Sequence, residues 1–138
     1  GASWAGNPLK TDIVKTLNNL EPELFDVVFE CCGQQEALDQ AVSLVKPGGK
    51  IMIIGIPEFD KYSFRADTAR RNEITIQHVR RQNECGQITI DKVASNKIDP
   101  SFLATHNFHY SESQKAFELV ADYKDNVVKA VIHFYKYL

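Results

Sequence analysis

The chain has 138 residues, of which 43% are hydrophobic and 25% are charged, as is ordinary for a soluble globular protein. Its net charge of −2 gives no electrostatic basis for binding nucleic acid or an anionic membrane surface, so neither is expected as a partner. The longest apolar run, 51–56, is far shorter than the roughly 20 residues of a membrane span. The three cysteines, two of them adjacent, favour a reduced cytoplasmic setting over a disulfide framework.

The first part of the chain predicts helices alternating with strands. Thr11 is predicted to cap a short helix that runs to Leu17. Residues 25–32 are nearly all apolar, with many β-branched and aromatic side chains, which is typical of a parallel strand buried on both faces. Apolar residues then recur at helical spacing over 37–45, and the turn Lys46-Pro47-Gly48-Gly49 is predicted to end that helix before a second buried strand at 50–56. Together these pieces predict a β-α-β unit.

The second part continues the alternation. The predicted strands are 73–79, 108–110 and 127–134, and the predicted helices are 66–71, 84–96 and 111–123. The first of these strands alternates polar and apolar residues, so we expect it nearer the sheet edge. Ser111-Glu112-Ser113-Gln114 resembles a capping box that opens the last helix. The whole pattern predicts an α/β fold with helices on both faces of a parallel sheet.

Candidate binding residues follow the strands. Ligands of open α/β sheets bind outside the carboxyl ends of the strands. Here those ends are 31–33, 55–57 and 79–81. Glycines in the first two allow close backbone approach to a ligand, and Arg80 and Arg81 add positive charge at the third, which indicates a nucleotide site. The alternative is that the glycines only turn the chain and the arginines form surface ion pairs.

The sequence lacks the usual phosphate-binding and metal-binding motifs. Neither a Gly-x-Gly-x-x-Gly loop nor a P-loop follows any predicted strand. His106 and His109 are three residues apart, but no acidic or thiol residue accompanies them at a fixed spacing. We therefore predict no metal ligand within this chain.

Several segments resemble, in order, the medium-chain zinc-type dehydrogenase/reductase family. Phe25–Gly33 and Val45–Pro57 resemble the family's later sheet strands, and Arg70–Asn83 resembles the last strand and following loop of its sorbitol and iditol dehydrogenase branch. The later matching segments are Ile98–Asp99, Thr105–Phe108, Lys115–Phe117 and Val127–Ile132. The resemblance implies a partial Rossmann-like, doubly wound parallel sheet over 1–103. Residues 104–138 would be the segment that returns to the catalytic domain.

The resemblance also implies a function. Enzymes of this family use NAD or NADP, and usually zinc, to oxidise an alcohol to a carbonyl by hydride transfer. Here the substrate would be a small polyol or alcohol, and we expect a homo-oligomer in the cytoplasm. By position, Cys32 matches the residue beside the cofactor's adenosine half. Gly55 and Ile56 match the strand end that holds the nicotinamide carboxamide. Arg80 matches a loop arginine near cofactor and substrate, and Lys129 matches a residue that reaches the cofactor phosphate.

Each of these five positions also has a structural interpretation. Cys32 would be a small buried residue, Gly55 a turn, Ile56 a packing residue, and Arg80 and Lys129 solvated surface residues.

The sequence departs from the family pattern in what it lacks. The first two nucleotide-binding strands, their glycine loop and the amino-terminal catalytic domain with its zinc ligands are absent. We therefore expect a carboxyl-terminal fragment that is inactive alone, with its catalytic and zinc-binding residues outside this chain. The strand at 26–31 would then present an unpaired apolar edge, which predicts self-association through Phe25–Cys32.

Three other interpretations remain open. Asp26-Val27-Val28 followed by Lys46-Pro47-Gly48-Gly49 also resembles half of an S-adenosylmethionine-dependent methyltransferase, although no match to that fold's final hairpin follows Gly55. The chain could be a non-catalytic nucleotide-binding or interaction domain. It could also derive from the zinc-independent quinone reductases, because the zinc ligands lie outside it.

Overall fold

The computed structural model describes residues 2–135 and divides the chain into two compact units, 1–82 and 83–138. The first unit contains helices α1 (Ile13–Leu20), α2 (Gln35–Leu44) and α3 (Ala66–Arg71), and strands β1 (Phe25–Glu30), β2 (Val45–Ile53) and β3 (Thr75–His78). The second contains helices α4 (Gly86–Ala94) and α5 (Ser113–Ala121) and strands β4 (His106–His109) and β5 (Ala130–His133). Short 3₁₀ turns lie at Ser101–Leu103, Tyr110–Glu112 and Lys124–Asn126. None of the helices within 2–135 is both long and apolar enough to cross a bilayer.

The first unit is built on a parallel sheet in the order β1-β2-β3. Val28 pairs with Ile51, and Ile51 pairs in turn with Ile76. The α/β architecture predicted from the sequence is therefore confirmed, with β3 at one edge as expected. The central strand carries the core, because Ile51 is completely buried between its neighbours.

Helix α2 supplies the other half of this core. Leu38, Ala41 and Val42 lie at helical spacing on one face and are buried against Val45 and Ile51. Burying a leucine, valine or isoleucine side chain stabilises the fold by about 1.5–3 kcal/mol. The core therefore fixes the strands whose ends form the candidate site.

Strand β1 differs from the prediction that it is buried on both faces. Val27 is 40% exposed and Phe29 is 61% exposed. The reason is that, within the described residues, β1 pairs only with β2 and lies at the open edge of the sheet. The predicted apolar edge is therefore present, whereas double-sided burial was wrong.

The predicted turn at 46–49 lies inside β2. Phe25 pairs with Val45, but Val27 pairs with Lys50, so β2 bulges outward between the two pairings. Gly48 has a φ of +74° in this bulge. The glycines thus do bend the chain, but the strand begins at Val45 rather than at residue 50.

Both predicted helix caps were wrong. The α1 helix begins after Asp12, whose carboxylate accepts the Lys15 amide at 3.0 Å, so Asp12 rather than Thr11 is the cap. Ahead of α5, the Ser111–Glu112 segment forms a 3₁₀ turn, and Glu112 at the helix start makes no capping bond. Because the Ser111 hydroxyl bonds to a group of this turn, it cannot also accept hydrogen bonds from the first amides of α5.

The second unit contains a two-stranded parallel sheet, β4-β5, against which α5 packs. Phe108 pairs with Ile132, and Ala116 of α5 is 2% exposed. Both strands had been predicted with different bounds: β4 begins at His106 rather than at 108, and β5 spans only Ala130–His133.

Candidate functional site

The candidate site is the edge at which the three strands of the first unit end. The carbonyl oxygen of Glu30, the last residue of β1, accepts hydrogen bonds from the amides of Ile54 at 2.8 Å and Gly55 at 3.0 Å. The Val79 amide donates to the Ile53 carbonyl at 2.8 Å. These bonds continue the sheet pairing past the strand ends, so the segments that follow the strands leave the sheet side by side.

A buried carboxylate organises the turn after β1. Glu30 is only 5% exposed, and its Oε1 accepts the backbone amides of Cys32 at 2.8 Å and Gly33 at 2.6 Å. Burial by itself raises the pKa of Glu30, but the hydrogen bonds from Gly33 and Cys32 outweigh it and hold that pKa below its usual value. The Glu30 side chain is therefore an anion whose charge the turn satisfies.

This anion decides what the turn can bind. The amides of Cys32 and Gly33 already donate to Glu30, so they are not free to cradle a phosphate. A fixed negative charge also repels phosphate oxygens. The turn is suited to a neutral part of a ligand, such as a nucleoside.

Two glycines bring the first two strand ends into backbone contact. A Cβ added to Gly33, whose φ is +72°, would lie 2.5 Å from the carbonyl oxygen of Ile56. A Cβ added to Gly55 would lie 2.1 Å from the Gly33 nitrogen. These glycines are expected to allow a ligand to approach the backbone closely. In the structure they allow the two loops to approach each other, because a residue with a Cβ would not fit there.

The β2–α3 loop (residues 54–65) is fastened to the rest of the unit by side chains. The amide group of Gln35 bonds both to the Ser63 nitrogen at 2.9 Å and to the Ser63 oxygen at 2.6 Å. The Tyr62 hydroxyl lies 2.5 Å from Nε2 of His78 at the end of β3. The loop also lines a small apolar pocket next to the two glycines, to which it contributes Pro57, Phe59 and Tyr62.

The structure brings four of the five candidate residues to this edge. Cys32, Gly55, Ile56 and Arg80 each follow a strand of the sheet, as predicted. Ile56 is 89% exposed, and the exposed Arg80 makes no ion pair with any residue in 2–135. Lys129 belongs to the second unit, where its backbone amide donates to Thr105 Oγ1 at 3.3 Å. Whether these residues contact a cofactor stays a prediction.

Cys32 is exposed rather than buried, which overturns its interpretation as a core residue. Partial desolvation of its thiol raises the pKa of Cys32, and the nearby Glu30 carboxylate acts in the same direction. The neutral thiol is therefore the favoured form, which does not suit a nucleophile.

Sequence reasoning missed the residues that hold the edge together, which are Glu30, Gln35, Tyr62 and His78. A signal existed for Glu30, since a carboxylate that ends an apolar strand must find donors when buried. The Gln35–Ser63 contact joins residues far apart in the chain, and no local pattern announces it.

Metal ligands are not grouped in the described part of the chain. Within residues 2–135, no three His, Cys, Asp or Glu side chains lie close enough together to hold a metal ion. The residues of this chain therefore do not fit a zinc site by themselves, and we derive no step through zinc.

Comparison with known proteins identifies the family. The family model described as zinc-binding dehydrogenase matches residues 1–95, which include the whole candidate edge. The chain belongs to this zinc-binding dehydrogenase family. Membership confirms the resemblance seen in the sequence and favours a dehydrogenase over a methyltransferase.

Two curated relatives extend the match into the second unit. The chain is 33% identical over 134 residues to the uncharacterized zinc-type alcohol dehydrogenase-like protein YdjJ of Escherichia coli K12. It is 28% identical over 120 residues to sorbitol dehydrogenase of Bacillus subtilis 168. These alignments cover 96% and 87% of the chain but only 38% and 33% of the relatives. The chain thus spans well under half the length of either relative.

Solved structures agree with the fold. An oxidoreductase/dehydrogenase from E. coli superposes with a TM-score of 0.88 at 32% identity, over 99% of this chain and 39% of its own. A zinc-binding dehydrogenase from Sinorhizobium meliloti 1021, solved with NADP bound, gives a TM-score of 0.84 over 96% and 39% of the two chains. At 23% identity the second match speaks for the fold alone.

Proposed function

We propose that this chain forms the later half of the nucleotide-binding domain, and the segment after it, of an NAD(P)-dependent zinc-type polyol or alcohol dehydrogenase. The parent enzyme would oxidise a secondary alcohol to a ketone. The observation that carries the proposal is a zinc-binding dehydrogenase match that includes three parallel strands whose carboxyl ends are held together at one edge. The named relatives, among them a sorbitol dehydrogenase, favour a polyol as substrate.

The residues at this edge fit part of a dinucleotide. When bound, NAD(P) accepts the hydride from the alcohol carbon. Gly55 and Ile56 would hold the nicotinamide carboxamide through their backbone, and the exposed Ile56 side chain offers an apolar surface. Cys32 would lie against the adenosine, which agrees with a turn whose amides are occupied by Glu30. Arg80 would supply positive charge for cofactor or substrate oxygens at this edge. For Lys129, in the second unit, contact with the cofactor phosphate stays a prediction from the resemblance.

The zinc ligands and the pyrophosphate loop would come from parts of the parent outside this sequence. We accordingly propose that the chain alone is inactive, that the parent works in the cytoplasm, and that it acts as a homo-oligomer. The 138-residue chain should show no NAD(P)-dependent oxidation of sorbitol, because no group of His, Cys, Asp or Glu within residues 2–135 could hold zinc as the Lewis acid. Turnover by the purified chain would contradict this division of the site.

Nucleotide titration tests the cofactor edge directly. We expect millimolar NADH or NADPH to shift the backbone amide signals of residues 32, 55, 56 and 80 in a ¹⁵N-labelled sample. The amides of Val45 and Lys46 lie at the opposite end of β2 and should not move. Binding should be weak, because the chain lacks a glycine loop for the pyrophosphate.

The alternatives give different results in the same titration. Shifts at the edge with S-adenosylmethionine but not with NADH would favour a methyltransferase-like site. Absence of shifts with any nucleotide would contradict the cofactor proposal and leave an interaction domain as the better function. Micromolar binding of NADH would show that the glycine loop is not needed.

A further inference from the structure

The β2–α3 loop (residues 54–65) carries two of the proposed cofactor contacts, Gly55 and Ile56, yet it has no regular secondary structure of its own. The backbone–backbone bonds of this loop lie at its two ends, where Ile54 and Gly55 donate to Glu30 and the Arg65 carbonyl accepts the Ala69 amide. Loops of this kind sample several conformations unless other contacts restrict them. What restricts this loop therefore decides where the two contacts lie.

Gln35 provides the first restriction. Its side-chain nitrogen donates to the Ser63 carbonyl at 2.6 Å, and its side-chain oxygen accepts the Ser63 amide at 2.9 Å. This reciprocal pair reproduces the bonding between neighbouring strands, with a side chain in place of one strand. Because Gln35 is the first residue of α2, whose other face is packed in the core, it holds the loop against a rigid element.

Tyr62 provides the second restriction, on the other side of the loop. Its ring packs against the core, and its hydroxyl lies 2.5 Å from Nε2 of His78 on β3, with the ring centroids 5.8 Å apart. The hydroxyl can either donate to or accept from an imidazole nitrogen, so the contact joins the loop to β3 in either tautomer of the ring.

The part of the loop before these two anchors lies beside the glycine contact. Gly33, Gly55, Pro57, Phe59 and Tyr62 line the same small pocket. Releasing residues 62 and 63 would therefore also loosen the residues of the loop that precede them, including Gly55 and Ile56.

We propose that Gln35 and Tyr62 are positioning residues for the nicotinamide end of the cofactor site: they fix the β2–α3 loop so that Gly55 and Ile56 present their backbone to the cofactor. The proposal rests on the proposed function, because it assumes that this edge binds NAD(P). It adds two residues that would act through their contacts with Ser63 and His78.

The first test compares two glutamines of the same helix. Gln35→Ala removes both bonds to Ser63, whereas Gln40→Ala removes a glutamine whose bond is to Glu36 within α2. We expect Gln35→Ala to speed hydrogen exchange of the Ser63 amide by about tenfold and to weaken NADH binding by about three- to tenfold, from the usual worth of such bonds. Gln40→Ala should change neither.

The second test uses a charge that acid can remove. In Gln35→Glu the ionised carboxylate still accepts from Ser63 but faces the Ser63 carbonyl and Asp39, which lies 3.2 Å from the native amide nitrogen. Once protonated, it can donate again. We expect NADH affinity that is low at pH 7 and recovers toward the wild-type value near pH 4–5, about the pKa range of a glutamate beside another carboxylate. A general loss of stability would not produce recovery in acid.

Tyr62→Phe keeps the packing and removes the hydroxyl. It should shift the ring nitrogen resonances of His78 and weaken NADH binding, with the chain still folded. The proposal is overturned if Gln35→Ala and Tyr62→Phe loosen the loop but leave NADH affinity unchanged, or if Ser63 exchange does not respond to Gln35→Ala. Absence of NADH-induced shifts in the wild-type chain is a separate result, which would overturn the proposed function itself.

Discussion

At the scale of single residues, Gly33 and Gly48 illustrate two different reasons why a position requires glycine. Both have a left-handed backbone, with φ of +72° and +74°. A Cβ at Gly33 would meet the Ile56 carbonyl group, whereas a Cβ at Gly48 would meet nothing within 4 Å. Gly48→Ala should therefore lower the free energy of unfolding by about 1 kcal/mol, the cost of placing an alanine in a left-handed backbone. Gly33→Ala adds a steric clash and should lower it by about 2–5 kcal/mol in total.

Urea denaturation followed by fluorescence of Trp4, which lies in the first unit, measures this difference. Equal losses of unfolding free energy for the two variants would mean that the strand ends separate easily. The contact between Gly33 and Gly55 would then not define the edge.

Glu30 makes the stability of the first unit depend on pH. Its folded-state pKa is lowered, so its carboxylate contributes stability above the unfolded pKa of about 4.3, and this contribution is lost as pH falls through the folded value. We expect Glu30→Gln to lower the unfolding free energy by about 1.5–3 kcal/mol at pH 7, the usual worth of hydrogen bonds to a charged group. The difference from wild type should shrink below pH 4.

The matched control is Glu36→Gln, the same change at an exposed position on α2. It should leave stability nearly unchanged at both pH values. A Glu30→Gln deficit that persists undiminished at pH 3 would show that shape, and not charge, holds the turn after β1.

At the scale of elements, the Thr105 hydroxyl helps to join the segments that lead into β4 and β5, beside a backbone bond from His106 to Lys129. Thr105 Oγ1 accepts the amides of Val128 at 3.0 Å and Lys129 at 3.3 Å. Thr105→Val removes these bonds with little change in shape. The free energy of opening of the β5 amides should therefore fall by about 1 kcal/mol, toward the low end of the usual worth of such bonds because the site is exposed. Thr105→Ser keeps the hydroxyl and is the control. Amide exchange of residues 128–133 measures both, and identical exchange in the two variants would contradict a role for the hydroxyl.

Elements with strong apolar patterns could be predicted from the sequence, and their ends could not. The strands β1 and β2 and helix α2 were found because their side chains meet one core. The bulge at 46–49 and the cap of α1 could not be predicted, because competing local hydrogen bonds determine them. Both Asp12 and Thr11 are suitable capping residues, and the folded structure determines which of them caps the helix. The same limit applies to β4 and β5, whose pairing joins segments far apart in the chain.

At the scale of the whole molecule, the candidate edge was predictable because parallel strands must end together, whatever their exact bounds. The strand ends at 31–33, 55–57 and 79–81 therefore marked the edge, and the family resemblance singled out Cys32, Gly55, Ile56 and Arg80 within them. The supporting contacts of Glu30 and Gln35 could not be predicted, since each depends on how closely two loops approach. The residues that shape a site are thus harder to find than those that line it.

The open edge of β1 bears on the state of the molecule in solution. Within the described residues only β2 pairs with β1, and Val27 and Phe29 are exposed beside it. An exposed apolar edge strand is a template for pairing with another chain, and a lysine there opposes such pairing. We expect the 138-residue chain to elute as a concentration-dependent dimer or larger species at micromolar concentrations. Phe29→Lys should shift it toward the monomer.

Phe117→Lys is the control, because Phe117 is as exposed an aromatic residue but lies on helix α5, which offers no unpaired strand edge. It should leave the elution profile unchanged. A single monomer peak for the wild-type chain over this range would contradict pairing through β1. If both lysine variants dissociated the assembly equally, the association would depend on exposed apolar surface in general and not on the edge of β1, since Phe117 lies on a helix.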